Sequence, residues 1–581
     1  MRYATRQMTS GQGIVPDLTG TRLRSERLGP LPLINTFLER LQLSERLERF
    51  VPSSDARVKV SYATSLGVLL RSLLVEREPI YRQAEVVETF APAAFGLSAR
   101  EAQHFGDDAV GRALDRLYDS DRAGLLTDIV VAAANEFGVA LDELHNDSTT
   151  IAFAGQYADA SGRSIRGQRA PFVTRGFSKD HRPDLKQLLF ILTTSSDGGV
   201  PVQFRCADGN HSDSTSHRAT WEALRQLTGS SGFLYVADSK LCNREAMDHI
   251  DRAGGRFVTV MPRNRLEDRE FRAWIVDHQP DWQLVRDEPH PKLPDGPRDR
   301  WWVHRAKLPS AEGWPVTWVW STLLALKQQH RRRERIARAS QELEELASKL
   351  AGPRPRLRAK HEIHARIDAI LGGNRVTPYL HVELHKTELH AFKQTKRGRP
   401  GPNTEYKRVT KSGWRLTWAV DDAAIATAGA SDGCYPLLSN DRDLEPEQVL
   451  DAHKRQPAIE KRFEQAKNVL EIAPVMLKNE GRIESLFFLY FLALLVQALI
   501  ERELRRAMRQ RGITELPLYP EERTTGRPTA EQILRLYGLT QRNVITHNDN
   551  DIHAFEPELT SLQEQVLDLL GVPASRYRPN A

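Results

Sequence analysis

The feature that most constrains the fold of this 581-residue chain is a change in hydrophobic period near Leu144. Between residues 30 and 135, apolar residues recur with the spacing of amphipathic helices, as in LPLINTFLERLQLSERLERF. After Leu144 the chain instead carries short β-rich runs, including LHNDSTTIAFAGQY and LKQLLFILTT. This order predicts an all-helical N-terminal region followed by a sheet domain.

The β-rich runs predict a mixed α/β sheet. A D-G-G turn joins LKQLLFILTT to VPVQFRCA, which is typical of a β-hairpin. We predict a helix over Ser214–Leu227, followed by the strands GFLYVADSK and GRFVTVMPRN. Three strands, a helix and two further strands make a mixed sheet flanked by helices.

The length of the chain predicts about three or four domains and excludes a peptide hormone or a lone binding module. Composition shifts place the boundaries. We predict a flexible N-terminus (1–27), a helical domain (28–140), a first core segment (141–264), an irregular Trp- and Arg-rich insertion (265–430), a second core segment (431–510) and a C-terminal helical segment (511–581).

The charge and the cysteine content limit the possible partners and cellular location of the protein. Lys and Arg number 82 against 76 Asp and Glu, an excess that by itself proves no polyanionic partner. The three cysteines lie far apart, which argues against a disulfide framework or a thiolate zinc site and predicts a reducing, cytoplasmic location. The apolar run Leu486–Ile500 is short for a membrane span, so we interpret it as a buried core helix and expect no membrane association.

Three carboxylates stand out by position. Asp147 lies in the polar HNDSTT context, Asp238 ends a buried strand, and Glu460 lies in the first turn of a helix that begins near Pro457. A sheet that presents two aspartates to a glutamate on a facing helix can hold two Mg²⁺ or Mn²⁺ ions about 3.5–4 Å apart for phosphoryl transfer. In the alternative interpretation, Asp147 is a turn residue, Asp238 caps the end of a strand and Glu460 is an acidic residue favoured at a helix N-terminus. Spacing alone leaves both interpretations open.

Four separated motifs resemble the insertion-sequence DDE transposases of bacteria. The segment GFSKDHRPDLKQLLFILTTSSDGGVPVQFRCADGNHSDS and the HNDSTTIAFAGQY run are similar to the second-strand region, and VADSKL is similar to the second catalytic segment. IEKRFEQAK resembles the C-terminal segment of the group with a Y-R-E-K signature, and LGPLPLINTFLERL resembles its N-terminal region. The likeness covers most of Leu28–Leu495.

The resemblance implies an RNase-H-like catalytic core with Asp147, Asp238 and Glu460 as the metal-binding DDE triad. It implies two Mg²⁺ (or Mn²⁺) ions per active site. In the pattern Y-x2-R-x3-E-x6-K, Glu460 and Lys467 fit, whereas His453 and Gln456 stand at the Tyr and Arg positions.

The remaining members of the signature are expected to contact DNA. Lys467 follows Glu460 by two helical turns on one face, a position from which it can meet a phosphate. His453 and Gln456 are also candidates for DNA contact, and the alternative is that both are solvated helix residues.

Two further segments are candidates for DNA contact. Lys386–Lys411 carries eight basic residues against two acidic ones and includes KRGRP, which looks like an AT-hook core; Arg397 and Arg399 would enter the minor groove, with a solvated loop as the alternative. Lys179 and Arg182 belong to a dense polar cluster, for which a salt-bridged turn is the alternative.

Other basic and aromatic residues favour structural roles. For HRRRER, at residues 330–335, a salt-bridged exposed helix is favoured over a phosphate clamp. Packing in a β-rich core is favoured over base stacking for a set of tryptophans: Trp301, Trp302, Trp314, Trp318 and Trp320.

The resemblance implies a DNA transposase that hydrolyses phosphodiester bonds at the ends of an insertion sequence and transfers the strands into target DNA. Its partners would be double-stranded DNA, as terminal inverted repeats and target, and a second copy of the chain in a homodimer or larger complex. The location would be cytoplasmic and nucleoid-associated. The alternatives are a catalytically inactive transposase-derived DNA-binding protein and, more weakly, a simple RNase-H-fold nuclease.

Overall fold

The computed structural model describes residues 21–55, 57–157, 160–290, 293, 295–352, 356–472, 477–548 and 550–578. The chain divides into two compact units: unit 1 contains the residues up to Arg256 and from Arg455 onward, and unit 2 contains Phe257–Lys454. Both units contain helices and strands. The mixed α/β class predicted from the sequence is therefore confirmed.

Unit 1 begins with helices, as the apolar period indicates. The described chain starts with the strand β1 (Thr21–Arg27), which the sequence did not predict; residues 1–20 of the predicted flexible N-terminus lie outside the described residues. The helices that follow are α1 (Leu31–Arg40), α2 (Leu43–Phe50), α3 (Tyr62–Val75), α4 (Gln83–Thr89), α5 (Ala99–Ala102), α6 (Asp107–Asp119) and α7 (Arg122–Phe137).

The sheet of unit 1 follows these helices. Its elements are β2 (Glu143–Phe153), the short pair β3 (Ser164–Ile165) and β4 (Gln168–Arg169), β5 (Lys186–Ser195), β6 (Pro201–Ala207), α8 (Asp213–Thr228), β7 (Leu234–Ala237) and α9 (Arg244–Arg252). Strand β2 pairs antiparallel with β5 and parallel with β7, in the order β6-β5-β2-β7. The predicted strands are present, whereas α9 was not predicted because its polar sequence, REAMDHIDR, has few apolar positions.

Unit 2 is more regular than its sequence suggested. Its elements are β8 (Arg256–Val260), α10 (Leu266–Asp277), β9 (Gln283–Glu288), β10 (Asp299–Arg305), β11 (Val316–Ser321), α11 (Thr322–Ala351), α12 (Lys360–Asn374), β12 (Leu380–Gln394), β13 (Tyr406–Val420), α13 (Asp422–Gly429), β14 (Cys434–Ser439) and α14 (Pro446–Arg455). Strands β8, β14, β11, β10 and β9 pair antiparallel in that order. Strands β9, β10 and β11 lie within residues 265–430, so the irregular sequence pattern of the predicted insertion does not correspond to irregular structure there.

The tryptophans of unit 2 pack as expected. Trp301, Trp314 and Trp318 are buried, and Trp318 stacks on Phe271. A second core joins the C-terminal half of α11 to α12 and the base of the β12–β13 hairpin, with Leu343 among its members.

The hairpin of β12 and β13 is long and polar. It pairs without interruption from Leu380 opposite Val420 to Gln394 opposite Tyr406. Residues 395–405, which include KRGRP, form its tip.

The C-terminal part of unit 1 is built around one buried helix. Its elements are α15 (Pro457–Glu464), a π-helix (Gln465–Val469), α16 (Glu480–Gln510), α17 (Ala530–Leu536), β15 (Gln541–His547), β16 (Asn550–Phe555) and α18 (Ser561–Leu569). Helix α16 is long and apolar enough to cross a membrane, but 94% of its apolar window is buried inside the protein, as the interpretation of a core helix requires. The β15–β16 hairpin pairs with β1, so the predicted C-terminal helical segment also contains strands.

Candidate active site

The two predicted catalytic aspartates belong to two neighbouring strands, Asp147 within β2 and Asp238 directly after β7. In the parallel pairing of β2 with β7, Asn146 lies opposite Ala237, and Asp147 and Asp238 are the residues that follow. Neighbouring strands are about 4.8 Å apart and opposed residues point to the same face of a sheet. The strand pairing thus places Asp147 and Asp238 near each other at the carboxyl end of β7.

The environment of each aspartate is polar and partly open to solvent. Asp238 begins the turn after β7, where the backbone N–H of Lys240 donates to its Oδ1 over 3.0 Å. The backbone N–H of Ser148 donates to Oδ1 of Asp147 over 2.7 Å. Both aspartates are half-buried, so a ligand can reach their carboxylates.

Strand alternation places Asp147 on the face that carries α15. Glu143 shares this face because the side chains of a strand alternate, and Arg455, just before α15, binds it through two contacts of 2.6 Å. Phe190, which lies opposite Thr149 on the same face, packs on Phe487 of α16. The helix that contains the predicted glutamate therefore covers the face on which Asp147 lies.

Lys179 lies directly against the first aspartate. Its Nζ donates to the backbone oxygen of Ser148 over 2.6 Å and to the Ser148 hydroxyl over 2.8 Å, and it lies 3.5 Å from Oδ1 of Asp147. The ammonium group compensates negative charge at this position and fixes the loop 175–185 against β2. Lys179, which the sequence placed near the active site, is therefore part of this cluster.

Lys467 belongs to the same cluster, although it follows Asp180 by 287 residues in the sequence. Its Nζ binds both oxygens of Asp180 over 2.7 and 2.9 Å, and Asp180 accepts a hydrogen bond from Thr150 of β2 over 3.2 Å. The polar cluster thus contains Lys179 and Asp180 from one loop, and Lys467 from the helix after Glu460.

The helix around Lys467 is not a regular α-helix. Residues Gln465–Val469 form a π-helix, in which the N–H of Leu470 bonds to the oxygen of Gln465 over 2.8 Å. A π-helix has one more residue in each hydrogen-bonded turn than an α-helix. The expectation that Lys467 lies two regular turns from Glu460 on one face is therefore wrong in its spacing.

A buried ion pair holds α15 in place. Arg462 is 2% exposed and binds Glu501 of α16, which is 1% exposed, over 2.9 Å. Arg462 also donates to the backbone oxygens of Gly198 and Gly199, each over a distance below 3.0 Å, in the turn between β5 and β6. This network fixes the distance of α15 from the sheet and from α16.

Glu460 does not close around the two aspartates in this structure. Its side chain is exposed on α15. Across the described residues, no group of three or more His, Cys, Asp or Glu side chains is arranged to hold a metal ion. The structure therefore brings together two members of the predicted triad, and the third remains a prediction.

Burial, hydrogen bonds and nearby charges shift the pKa values of two groups close to the aspartates, Glu143 and Tyr235. Burial acts to raise the pKa of Glu143, but hydrogen bonds from His145 and Arg455 outweigh it and lower that pKa to about 2. On the other face, burial and then the charge of Asp238 raise the pKa of Tyr235, whose hydroxyl lies 3.0 Å from Nδ1 of His217. Glu143 therefore remains ionised beside Arg455 at all ordinary pH values.

The other predicted DNA contacts are dispersed. Arg182 forms a bidentate pair with Asp184 over 2.9 and 2.8 Å, which is the salt-bridged turn that the sequence offered as the alternative. Gln456 is the N-cap of α15 and makes no side-chain capping bond. His453 belongs to unit 2, where its ring lies 5.6 Å from that of Tyr435.

The remaining two predicted contacts are exposed. Arg397 and Arg399 lie at the tip of the β12–β13 hairpin, with their side chains open to solvent. This position is an exposed loop, as in the alternative of a solvated loop, and a paired two-stranded stem supports it.

Sequence reasoning missed three residues that organise the site. Ser148 and Thr150 carry the hydroxyls that bind Lys179 and Asp180, and Arg455 anchors Glu143. The run of six consecutive polar residues in HNDSTT was an available signal for the first two. No local pattern identifies Arg455, because its partner lies far away in the chain.

Comparisons with known proteins add little to this geometry. A family model described as a domain of unknown function, DUF4277, matches residues 23–131, which contain the N-terminal helices and neither aspartate. No curated protein matches the chain.

One solved structure resembles part of the chain. It is a cryo-EM structure of the piggyBac transposase synaptic complex with hairpin DNA, which is 9% identical over 49% of this chain, with a TM-score of 0.26. The match spans 60% of that chain's length. A similarity this low carries no argument about fold or activity, so the function must be argued from the site itself.

Proposed function

We propose that this chain is a DNA transposase that cuts phosphodiester bonds at the ends of an insertion sequence and joins the freed 3′ ends to target DNA. In this proposal the sheet of unit 1 is an RNase-H-like core and Asp147, Asp238 and Glu460 are its catalytic carboxylates. The observation that carries the proposal is the position of Asp147 on β2 near Asp238 at the end of the parallel strand β7, with Lys179 and Lys467 in the same polar cluster.

The donor set suits a hard divalent cation. Mg²⁺ is commonly bound by one or two carboxylates together with water and substrate phosphates, rather than by a cage made only of protein. Two adjacent, half-buried aspartates fit that requirement, and Glu460 would complete the set from α15. Mg²⁺ or Mn²⁺ held there supplies an activated water or 3′-hydroxyl and stabilises the leaving oxygen.

The lysines position the DNA strand. Lys467 keeps 25% of its side chain exposed, so a backbone phosphate can approach Nζ and replace Asp180 as its partner. Lys179 has 30% of its side chain exposed and holds the loop against Ser148. Lys467 is therefore a phosphate ligand in this mechanism, and Lys179 is a residue that orients Asp147.

A second set of residues supports DNA binding away from the aspartates. The tip of the β12–β13 hairpin presents Arg397 and Arg399 without a carboxylate partner among the described residues. Contacts from Lys and Arg to phosphates release counterions and give affinity that does not depend on sequence. The hairpin would contribute this part of the binding to terminal repeats or target DNA, in a complex with at least two copies of the chain.

The test is strand cleavage by the purified chain of a linear DNA that carries its own gene and flanking sequence, in Mg²⁺ or Mn²⁺. Asp147→Asn and Asp238→Asn are each expected to lower cleavage by more than about 100-fold, because a bound metal supplies several kcal/mol of charge stabilisation. Asp142→Asn is the matched control, since Asp142 is exposed immediately before β2. Equal cleavage by the wild type and the Asp238 variant would contradict the proposal.

A catalytically inactive DNA-binding protein is the second candidate. It is favoured by the lack of a three-membered metal group among the residues that the structure describes. This candidate predicts that the wild type and both aspartate variants bind the DNA equally and that none of them cuts it with either metal.

A further inference from the structure

Unit 2 contains a cavity with a lining that is unusually rich in arginine. Its volume is about 330 Å³, which lies at the small end of the range for ligand sites. Gln328, Tyr379, Ser431 and Asp432 contribute to its wall. Six arginines against one carboxylate line it: Arg263, Arg272, Arg331, Arg332, Arg335 and Arg375.

The arginines converge from separate elements. Gln328, Arg331, Arg332 and Arg335 recur on α11 at the spacing that forms one face of a helix. Arg272 comes from α10, and the others come from connecting segments. Like charges gathered from separate parts of the fold repel one another, and a ligand of opposite charge would be attracted to them.

Two of these arginines are fixed by carboxylates. Arg332 binds Asp432 through two contacts of 2.9 and 2.5 Å. Arg272 binds Asp268 over 2.8 Å and donates to the backbone oxygens of Ser431 and Cys434. They form a rigid, hydrogen-bonded part of the wall.

The other four guanidinium groups have no carboxylate partner within the described part of the chain. They belong to Arg263, Arg331, Arg335 and Arg375. Burial and then the charge of Arg272 lower the pKa of Arg263, and the nearby charges of Asp268 and Asp432 offset only part of this effect. The HRRRER run lies on α11 as the favoured interpretation of an exposed helix expects, with His330 and Arg332 in ion pairs and Arg331 and Arg335 exposed.

We propose that this cavity binds a polyphosphate group, supplied either by a free polyphosphate compound or by consecutive phosphates of a DNA backbone. The planar guanidinium fork matches phosphate oxygens in a bidentate manner, which an ammonium group does not. Several forks around one small cavity suit a ligand with more than one phosphoryl group. The site lies wholly within unit 2 and uses none of the residues assigned to the active site.

The first test measures the binding of sodium tripolyphosphate to the full chain by calorimetry. Combined Arg263→Ala and Arg335→Ala substitutions are expected to weaken binding by at least about tenfold, since each removes a charge-assisted contact. The matched control combines Arg269→Ala and Arg338→Ala, which remove the same charge from exposed positions of α10 and α11 outside the cavity. The control is expected to bind within about twofold of the wild type.

Two results would overturn the proposal. One is a wild type that does not bind tripolyphosphate, and the other is a control pair that loses as much affinity as the cavity pair. If the alanine pair does not fold, Arg263→Lys with Arg335→Lys takes its place, because it keeps the charges and removes the forks. Unchanged binding by a folded lysine pair would also overturn the proposal.

A fluorescent DNA duplex distinguishes the two sources of phosphate. If the ligand is a DNA backbone, tripolyphosphate displaces the duplex, and the Arg263→Ala and Arg335→Ala pair weakens the binding of both the duplex and tripolyphosphate. If the ligand is a free polyphosphate compound, the cavity pair weakens tripolyphosphate binding alone. Both outcomes support the cavity as a phosphate site, and neither depends on DNA cleavage, so this test is independent of the proposed transposase activity.

Discussion

Asp147 follows Asn146 on β2, Asp238 follows Ala237 at the end of β7, and Asn146 and Ala237 are directly paired in the parallel ladder. The adjacency of the two aspartates is therefore a property of strand register. A shift of β7 by one residue would turn Asp238 to the opposite face of the sheet. Residues that hold β2, the loop 175–185 and α15 in place consequently decide whether the carboxylates can act together.

The first prediction concerns Lys179. Lys179→Ala removes three polar contacts with Ser148 and Asp147, so we expect unit 1 to lose about 1–3 kcal/mol of stability around β2. Hydrogen exchange of the β2 amides measures this loss. Arg182→Ala, in the same loop, removes an exposed pair with Asp184 and is expected to leave exchange unchanged. Equal protection of β2 in the Lys179 variant and the wild type would argue against this role.

The second prediction concerns the buried pair of Arg462 and Glu501. Arg462→Met leaves the Glu501 carboxylate buried without its main partner, which is expected to cost about 3–5 kcal/mol. Adding Glu501→Gln to that variant is expected to restore part of the loss, because the remaining buried charge is removed. Urea unfolding of the single and double variants measures the coupling. Lys461→Ala, at an exposed position on α15, serves as the control.

The third prediction concerns acid stability. Glu143 has a pKa lowered from 4.5 to about 2 in the folded chain, so its contribution is present above pH 4.5 and is lost as the pH falls toward 2. A difference of this size corresponds to roughly 3 kcal/mol. In Glu143→Gln, unfolding is expected to depend less steeply on pH in this window. An unchanged pH dependence would show that the pairing with Arg455 is not maintained in solution.

The fourth prediction concerns Arg375 at the end of α12. This residue has a φ of 56°, in the left-handed region that favours glycine. Arg375→Gly is expected to stabilise unit 2 by about 1 kcal/mol and to weaken tripolyphosphate binding. Hydrogen exchange of α12 and calorimetry measure the two effects. A loss of both stability and binding would indicate that Arg375 has mainly a structural role.

The fifth prediction concerns the hairpin tip. Arg397→Ala with Arg399→Ala is expected to weaken binding to all duplexes alike and to reduce the salt dependence of log K by about 2, as for two lost phosphate contacts. Fluorescence anisotropy at several salt concentrations measures both quantities. Lys360→Ala with Arg366→Ala, exposed on α12, is the control of equal charge. If the control pair weakens binding equally, the hairpin tip makes no specific contact with DNA.

Strands β5 and β7 of unit 1 were predictable because each contains a run of apolar residues. In β5 nearly every position is buried, and β7 is a buried run that ends at the polar Asp238. The change of period near Leu144 likewise marks the boundary between helices and sheet. Such local signals are sufficient to identify elements and to select Asp147 and Asp238 as candidates.

The long hairpin and the polar cluster were not predictable from local signals. Strands β12 and β13 are largely exposed and polar, so no burial pattern distinguishes them from a loop. The contact of Lys467 with Asp180 joins residues 287 positions apart. The π-helix shifts Lys467 relative to Glu460, and a count of residues along an ideal helix cannot reveal such a shift.

The most direct test of the central claim is metal specificity at Asp238. Replacement of a carboxylate by a thiolate changes a ligand that suits Mg²⁺ into one that prefers softer ions. We predict that Asp238→Cys fails to cut DNA in Mg²⁺ and regains part of the wild-type cleavage in Mn²⁺ or Zn²⁺. Cleavage in Mg²⁺ by Asp238→Cys at the wild-type rate, or no cleavage by the wild type with any of these ions, would contradict the account.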